Sequence, residues 1–212
     1  DSVVGSPGSA RSPGGPQALL CAFYVDILKV AGSILNRREA RLEEESAAGF
    51  GDGQEALAAA TNKLGEVIGE LREAMDAGAA GVMVAPPNTL RTNEQILGYF
   101  QLVSDTLGDI PWVLQDFPLA TGVKITPAVC LEIFETCRNC VMLKHEDWPG
   151  LDKISTLRDA EEEGARRVSI LCGNGGLFLV EEMLRGADGA MTGFAYPEMM
   201  VEVVRAVERG DI

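Results

Sequence analysis

The stretch Cys140–Gly150, CVMLKHEDWPG, places a lysine at the end of an apolar run, where a buried strand ordinarily carries another Val or Ile. Its first residues have the composition of a strand that packs inside a parallel sheet. Lys144 ends this strand and is followed by an acidic loop. A lysine in this position needs either a charged partner or a chemical role.

The same pattern, a short apolar run followed by a helical segment, recurs along the chain from residue 81 onward. The runs begin about 21 to 30 residues apart, which is close to the length of one βα unit. They are GVMVAPP from Gly81, PWVLQDFP from Pro111, CVMLKHE from Cys140, VSILCGNGG from Val168 and GAMTGFAYP from Gly189. The apolar spacing between them predicts helices at Asn93–Leu107, Pro127–Cys137, Leu151–Glu163, Leu177–Arg185 and from Pro197 onward.

Apolar runs without polar alternation indicate strands that are covered on both faces, as in a parallel sheet. Five consecutive βα units therefore predict an α/β domain, either a barrel or a doubly wound sheet. In both architectures the functional residues gather at the carboxyl ends of the strands. We therefore expect the site among the residues that follow the five runs.

The first part of the chain lacks this rhythm. Residues 1–16, rich in Gly, Ser and Pro, predict a flexible arm, and residues 17–212 a single α/β-barrel-like domain. Residues 26–50 and 53–78 have helical apolar spacing, and residues 18–28 form the one candidate strand. Three more βα units would need about 84 residues, whereas only about 64 separate the arm from Gly81.

Charge and composition exclude several classes of protein. Lys and Arg number 18 against 32 Asp and Glu, a net charge of −14, so neither nucleic acid nor an anionic membrane is an expected partner. No apolar run approaches the roughly 20 residues that span a bilayer. The 5 cysteines are odd in number and sparse, which fits a reducing cytoplasm. A small molecule is the expected partner.

Two interpretations of Lys144 follow from its position alone. Its aliphatic stem can extend beyond the sheet edge and bring the ammonium to an acidic partner. Alternatively, poorly solvated surroundings disfavour the ammonium, and the neutral amine can attack a carbonyl to form a Schiff base. The residues leave both interpretations open.

The ordered set of motifs resembles the family of dihydrodipicolinate synthases, N-acetylneuraminate lyases and related pyruvate-dependent class I aldolases. DAGAAGVMVAPP is similar to the fourth barrel strand of that family, PWVLQDFPLATG to the fifth, VMLKHED to the sixth, SILCGNGGLFL to the seventh and GADGAMTGFA to the eighth. The resemblance covers about residues 75–208. It implies a (β/α)8 TIM-barrel type of α/β fold, with strands 4 to 8 recognisable and the N-terminal part shortened or irregular. It also implies a homo-oligomer, dimer or tetramer, and no metal or organic cofactor.

The resemblance also assigns roles to individual residues. Lys144 would form the imine with pyruvate or a related 2-oxo acid, and the imine would make or break the adjacent carbon–carbon bond with an aldehyde partner. Gly173 matches the glycine beside the substrate, and Met191 matches a residue of strand eight whose backbone faces the lysine. Thr121 matches the threonine of the turn after strand five, whose hydroxyl reaches the substrate.

The chain departs from the family pattern at two further positions. Gln115 replaces the proton-relay tyrosine, and a glutamine cannot act as a general acid, although it can orient a water or a hydroxyl. Ala120 replaces the arginine that some members use to hold a second carboxylate, which argues against dihydrodipicolinate synthesis itself. Nearby candidates for replacing the relay are Asp116, His145, Glu146 and Asp147, of which Asp116 and His145 are also assigned to substrate binding.

The carboxylate-binding turn that follows strand two in the family is not found before strand four, and the three-helix tail of the family is absent after residue 208. We therefore expect a partial or frame-disrupted reading of a longer gene. The alternative function is a catalytically compromised member that serves as a scaffold for binding a metabolite or a partner.

Two further motifs allow other functions. Cys137 and Cys140 have the CxxC spacing of redox and zinc sites, but the chain offers no second ligand pair, and its 1 histidine is His145. A turn of the helix-to-strand connection is the simpler interpretation. The Gly-rich residues 173–176 could hold a phosphate, as in a barrel isomerase or epimerase, although a tight turn beside a small oxo acid fits the pattern better.

Overall fold

The computed structural model describes residues 73–148 and 150–211, together with Gly69 and Leu71. The predicted flexible arm, the candidate strand at residues 18–28 and the predicted helix at residues 26–50 lie outside these residues. Of the predicted helix at residues 53–78, the described C-terminal end is helical at residues 73–76.

The described residues form a parallel five-stranded sheet, and each strand is followed by helical structure. The strands are β1 (Val82–Val84), β2 (Trp112–Asp116), β3 (Cys140–His145), β4 (Ser169–Cys172) and β5 (Gly189–Ala190). The helices are α1 (Asn93–Leu107), α2 (Pro118–Thr121), α3 (Pro127–Thr136), α4 (Leu151–Glu162), α5 (Leu179–Leu184) and α6 (Pro197–Arg209). The sheet order β1-β2-β3-β4-β5 follows the chain, as in a barrel, whereas a doubly wound sheet reverses its strand order at a switch point.

The predicted strands and helices are confirmed closely, with one shift. The helix expected from Leu177 begins at Leu179, because residues 174–176 form a 3₁₀ turn in which Asn174, Gly175 and Gly176 all have positive φ. Local signals fix the other starts: α1 opens with a capping box between Thr92 and Gln95. The start of α3 combines a Thr126 cap with a proline in its first turn.

One face of the sheet carries the hydrophobic core. Leu114, Leu143 and Ile170 occupy matched positions on neighbouring strands, and each is at most 1% exposed. Trp112 extends this layer toward the start of β2, where its ring stacks on Phe100 of α1 at a centroid distance of 5.5 Å. Because α1 and α3 also contribute buried side chains to this cluster, the helices cover this face and fix the strands in register.

Asn139, just before β3, joins three segments at the start of the sheet. Its side-chain oxygen accepts hydrogen bonds from Ser104 Oγ and from Trp112 Nε1 at 2.9 Å, and its nitrogen donates to the carbonyl of Gly108 at 2.7 Å. Arg166, before β4, donates to the carbonyls of Phe134 and Cys137 at the C-terminal end of α3. Within the described part of the chain, no helix has the length and apolar character needed to cross a bilayer.

Candidate functional site

The carboxyl ends of β2, β3 and β4 meet at one edge of the sheet and bring the candidate residues together. Gln115 pairs in register with Lys144, and Asp116 pairs with His145. Because side chains alternate along a strand, Gln115 and Lys144 share one face, whereas Asp116 and His145 share the other. The predicted site residues are therefore divided between two faces of the same edge.

Lys144 is half-buried and contacts a carboxylate from its own strand end. Its Nζ lies 3.3 Å from Oε2 of Glu146. The same oxygen accepts a hydrogen bond of 2.7 Å from Nε2 of Gln115. Gln115, Lys144 and Glu146 thus form one polar cluster, which we call the lysine cluster, and Glu146 is its shared member.

The chain around Glu146 holds that carboxylate tightly in place. Its other oxygen, Oε1, accepts a hydrogen bond of 3.2 Å from the backbone N–H of Asn174. Its own backbone N–H donates to the carbonyl of Asp116 at 2.9 Å. The side chain also passes directly over Gly173, where an added Cβ would lie 2.3 Å from Glu146 Cγ. Glycine at position 173 is therefore required by the close approach of Glu146.

A second lysine, Lys153 of α4, lies on the helix-covered face. Its Nζ is 2.6 Å from Oδ2 of Asp116 and 2.7 Å from Oδ2 of Asp147, and we call these three residues the structural ion cluster. Burial opposes the charge, but the neighbouring carboxylates, Asp116 first, raise the pKa of Lys153 above its ordinary value. Burial raises the pKa of Asp116 despite the attraction of Lys153. The structure thus places Asp116, predicted to bind substrate, in an ion cluster away from Lys144.

His145 is also on the helix-covered face, and its side chain has no exposed surface. Its Nδ1 lies 3.2 Å from Oε2 of Glu182 in α5, within ion-pair distance. The two atoms lack hydrogen-bond geometry, and neither ring nitrogen has a hydrogen-bond partner among the described residues. The assignment of His145 to substrate binding stays a prediction, and the contacts of its ring belong to the packing of α5.

The other predicted residues lie on the segments that follow β2, β4 and β5. Gly173 continues from β4, and its N–H donates to the carbonyl of His145 at 2.9 Å. Met191 follows β5, and its N–H donates to the carbonyl of Cys172 at 2.8 Å. Thr121 ends α2, where its hydroxyl donates to the Phe117 carbonyl at 3.0 Å and accepts from the N–H of Val123 at 3.2 Å. These roles too stay predictions.

The CxxC pair is buried in the fold, and the Gly-rich residues after β4 form a tight turn. Cys137 and Cys140 are buried free thiols, and burial raises the pKa of Cys140 to about 12. A thiol in that state is a poor nucleophile and a poor metal ligand at neutral pH. No group of three or more His, Cys, Asp or Glu side chains suited to a metal ion occurs in the described ranges. The Gly-rich residues 174–176 form a single turn of 3₁₀ helix.

The sequence does not single out two important residues, Glu146 and Lys153. Glu146 was one of four candidates for the relay, and nothing in the sequence distinguished it from Asp147. Lys153 is not among the predicted site residues, although it precedes Leu157 by four residues and so lies on the apolar stripe of α4, which is a usable signal. Which acid pairs with which lysine depends on strand alternation and on the loop after β3.

Comparison with known proteins gives the chain a family. The family model described as the dihydrodipicolinate synthetase family matches residues 46–212, so the similarity extends N-terminal of residue 75. A 4-hydroxy-tetrahydrodipicolinate synthase of Methanothrix thermoacetophila is 33% identical over 155 residues, which is 72% of this chain and 50% of that protein. The chain spans about half the length of the curated relatives it matches.

Solved structures share the fold. A dihydrodipicolinate synthase from Rhodopseudomonas palustris superposes with a TM-score of 0.68 at 55% identity, covering 70% of this chain and 50% of that one. YagE of Escherichia coli K12, a protein of the dihydrodipicolinic acid synthase family solved in complex with pyruvate, gives 0.58 at 28% identity over 70% of this chain and 50% of that one. These matches confirm the TIM-barrel type of α/β fold, and the chain belongs to the dihydrodipicolinate synthetase family.

Proposed function

We propose that this chain is a lyase of the class I aldolase type, in which Lys144 forms a Schiff base with pyruvate or a related 2-oxo acid. The imine draws electrons from the adjacent carbon–carbon bond and so permits its cleavage, or its formation with an aldehyde. The observation that carries the proposal is the half-buried Lys144 at the carboxyl end of β3, beside Gln115, Glu146 and Gly173. The pyruvate complex of YagE supports the choice of 2-oxo acid.

The lysine cluster suits this chemistry better than the structural ion cluster. Lys153 contacts two carboxylates at 2.6 and 2.7 Å and its side chain is 6% exposed, so its ammonium is held charged. Lys144 has a longer contact of 3.3 Å with one carboxylate, and its side chain keeps 14% of its surface accessible. A 2-oxo acid can therefore reach the amine of Lys144 by displacing one longer carboxylate contact rather than two short ones.

Borohydride reduction in the presence of pyruvate tests the proposal. The reduced imine is a stable adduct, so the intact mass of the chain should increase by one pyruvate-derived group. Lys144→Ala should give no adduct, and Lys124→Ala, which removes an exposed lysine, should give the wild-type yield. A folded wild-type chain that gives no adduct would contradict the proposal and favour the alternative of a scaffold that binds a metabolite or a partner.

Assembly into a dimer or tetramer is part of the same proposal. Sedimentation equilibrium of the purified chain would measure it directly. A second copy is not needed for the contacts of the lysine cluster, because all of its described members come from one chain.

A further inference from the structure

We infer that Glu146 is the proton-transfer group of the Lys144 reaction, and that Gln115 is the residue that positions it. This inference rests on the proposed function and deepens it. The position where the family carries a relay tyrosine is Gln115 in this chain, and an amide cannot transfer a proton. The structure places a carboxylate within reach of the same amide, 2.7 Å from Gln115 Nε2.

The distances put Glu146 where the proton transfers must occur. Oε2 is 3.3 Å from Lys144 Nζ, the atom that must lose protons for the imine to form. The oxygen that leaves as water is attached to the carbon bonded to Nζ, so one carboxylate can reach both atoms in turn. A general acid or base needs this proximity before any other property.

The proton balance closes with this single carboxylate. Glu146 first takes a proton from the Lys144 ammonium, and the neutral amine then bonds to the 2-oxo carbon as the carbonyl π bond opens onto oxygen. The carboxyl gives its proton to that oxygen and takes a second proton from nitrogen. It then protonates the hydroxyl, which leaves as water while the C=N bond forms. Two protons have moved from nitrogen to oxygen, the imine nitrogen keeps the third, and Glu146 returns to the carboxylate.

The surroundings limit Glu146 to this position. Oε1 is occupied by the Asn174 N–H, Cγ lies against Gly173, and the residue is only 6% exposed. Asp147, the next acid along the chain, contacts Lys153 instead. Asp116 and Glu182 lie on the other face with Lys153 and His145. Among the described acids, Glu146 is thus the one that faces Lys144.

The test is the rate of adduct formation with pyruvate and cyanoborohydride, followed by intact mass. Glu146→Gln keeps the size of the side chain and an oxygen for the Asn174 N–H, and we expect it to form the adduct at least about 100-fold more slowly. Glu146→Ala should be equally slow and should recover at least about tenfold with added formate, a small carboxylate that can occupy the vacated space. Chloride at the same ionic strength should give no recovery.

Asp147→Asn is the matched control, because it removes the neighbouring carboxylate without touching Lys144, and its rate should equal that of wild type. A rate for Glu146→Gln within about threefold of wild type, or above it, would overturn the inference, because Glu146 would then serve only to hold the ammonium. Failure of formate to restore Glu146→Ala would also overturn it. If the folded wild-type chain forms no adduct at all, the proposed function is contradicted, and so is this inference. If wild type forms the adduct and Glu146→Gln forms it equally fast, only this inference is contradicted.

Discussion

Lys144 and Lys153 both contact carboxylates at the same sheet edge, yet they lie on opposite faces and in different surroundings. Lys153 is enclosed between Asp116 and Asp147, with short contacts to both. Lys144 has a single, longer contact with Glu146 and a more accessible side chain. Two short contacts hold the Lys153 ammonium in the fold, whereas the single longer contact of Lys144 is compatible with the proposed reaction of its amine.

The largest expected effect is the loss of stability when Lys153 is replaced. Lys153→Met leaves Asp116, whose side chain has no exposed surface, without its counter-charge, and should lower the free energy of unfolding by about 3 to 5 kcal/mol. Lys144→Met should cost only about 1 kcal/mol, because Glu146 keeps its hydrogen bonds to Gln115 and Asn174. Urea unfolding of both variants measures the difference. Equal losses would show that the two clusters do not differ as described.

Gly173→Ala adds only one methyl group, yet it should disturb the lysine cluster strongly. The new methyl group would lie 2.3 Å from Glu146 Cγ, so the carboxylate must move, at a cost of about 1 to 3 kcal/mol. We also expect borohydride trapping of Lys144 to fall sharply. Gly193→Ala is the matched control, since an added Cβ there meets nothing within 4 Å. If both variants trap pyruvate like wild type, Gly173 does not hold Glu146 in place.

Alkaline pH should remove the contribution of Lys153 selectively. Its pKa is raised in the folded state, so its stabilising effect is fully present below the unfolded value of about 10.4 and is lost as the pH rises through the folded value. The stability difference between wild type and Lys153→Met should therefore shrink above about pH 10.4, by at most about 1.4 kcal/mol per pH unit. Thermal unfolding between pH 7 and 11 measures this.

For the alkaline experiment, Lys124→Met provides the control, because Lys124 is exposed. A difference for Lys153→Met that stays constant from pH 7 to 11 would mean that the buried ammonium is not held by its carboxylates.

Asp147→Asn should lower stability as little as Lys144→Met does. Asp147 is 22% exposed and is the second partner of Lys153, which keeps its contact with Asp116 in the variant. We expect a loss of about 1 kcal/mol in urea unfolding and no change in the trapping of Lys144. A loss as large as that of Lys153→Met would show that Asp147, rather than Asp116, is the main partner.

The strands and helices were predictable because their signals are local. The apolar run of β1 marks a strand that is buried throughout, and caps such as Thr92 and Thr126 mark helix starts. Helix α5 begins two residues later than predicted, because residues 174–176 have positive φ values. These values depend on how the chain leaves β4, which the sequence does not indicate. The period of the βα units predicted parallel strands, and the sheet confirms this.

The gathering of these side chains at one sheet edge was predictable, but their pairings were not. Lys144 and Gln115 follow from strand register, which a sequence indicates once the strands are known. Asp116 and His145 are adjacent to them in sequence, yet alternation turns both to the other face. Glu146 lies beyond the strand, and its return toward Lys144 depends on the turn at Gly173 and Asn174. Such a contact between loops has no local signature in the sequence.

Peptide mapping of the wild-type chain after borohydride reduction with pyruvate tests the central claim most directly. The account predicts the reduced pyruvate adduct on the peptide that contains Lys144 and an unmodified peptide around Lys153. An adduct on Lys153, or equal modification of both lysines, would contradict the division between a reactive amine and a structural ammonium.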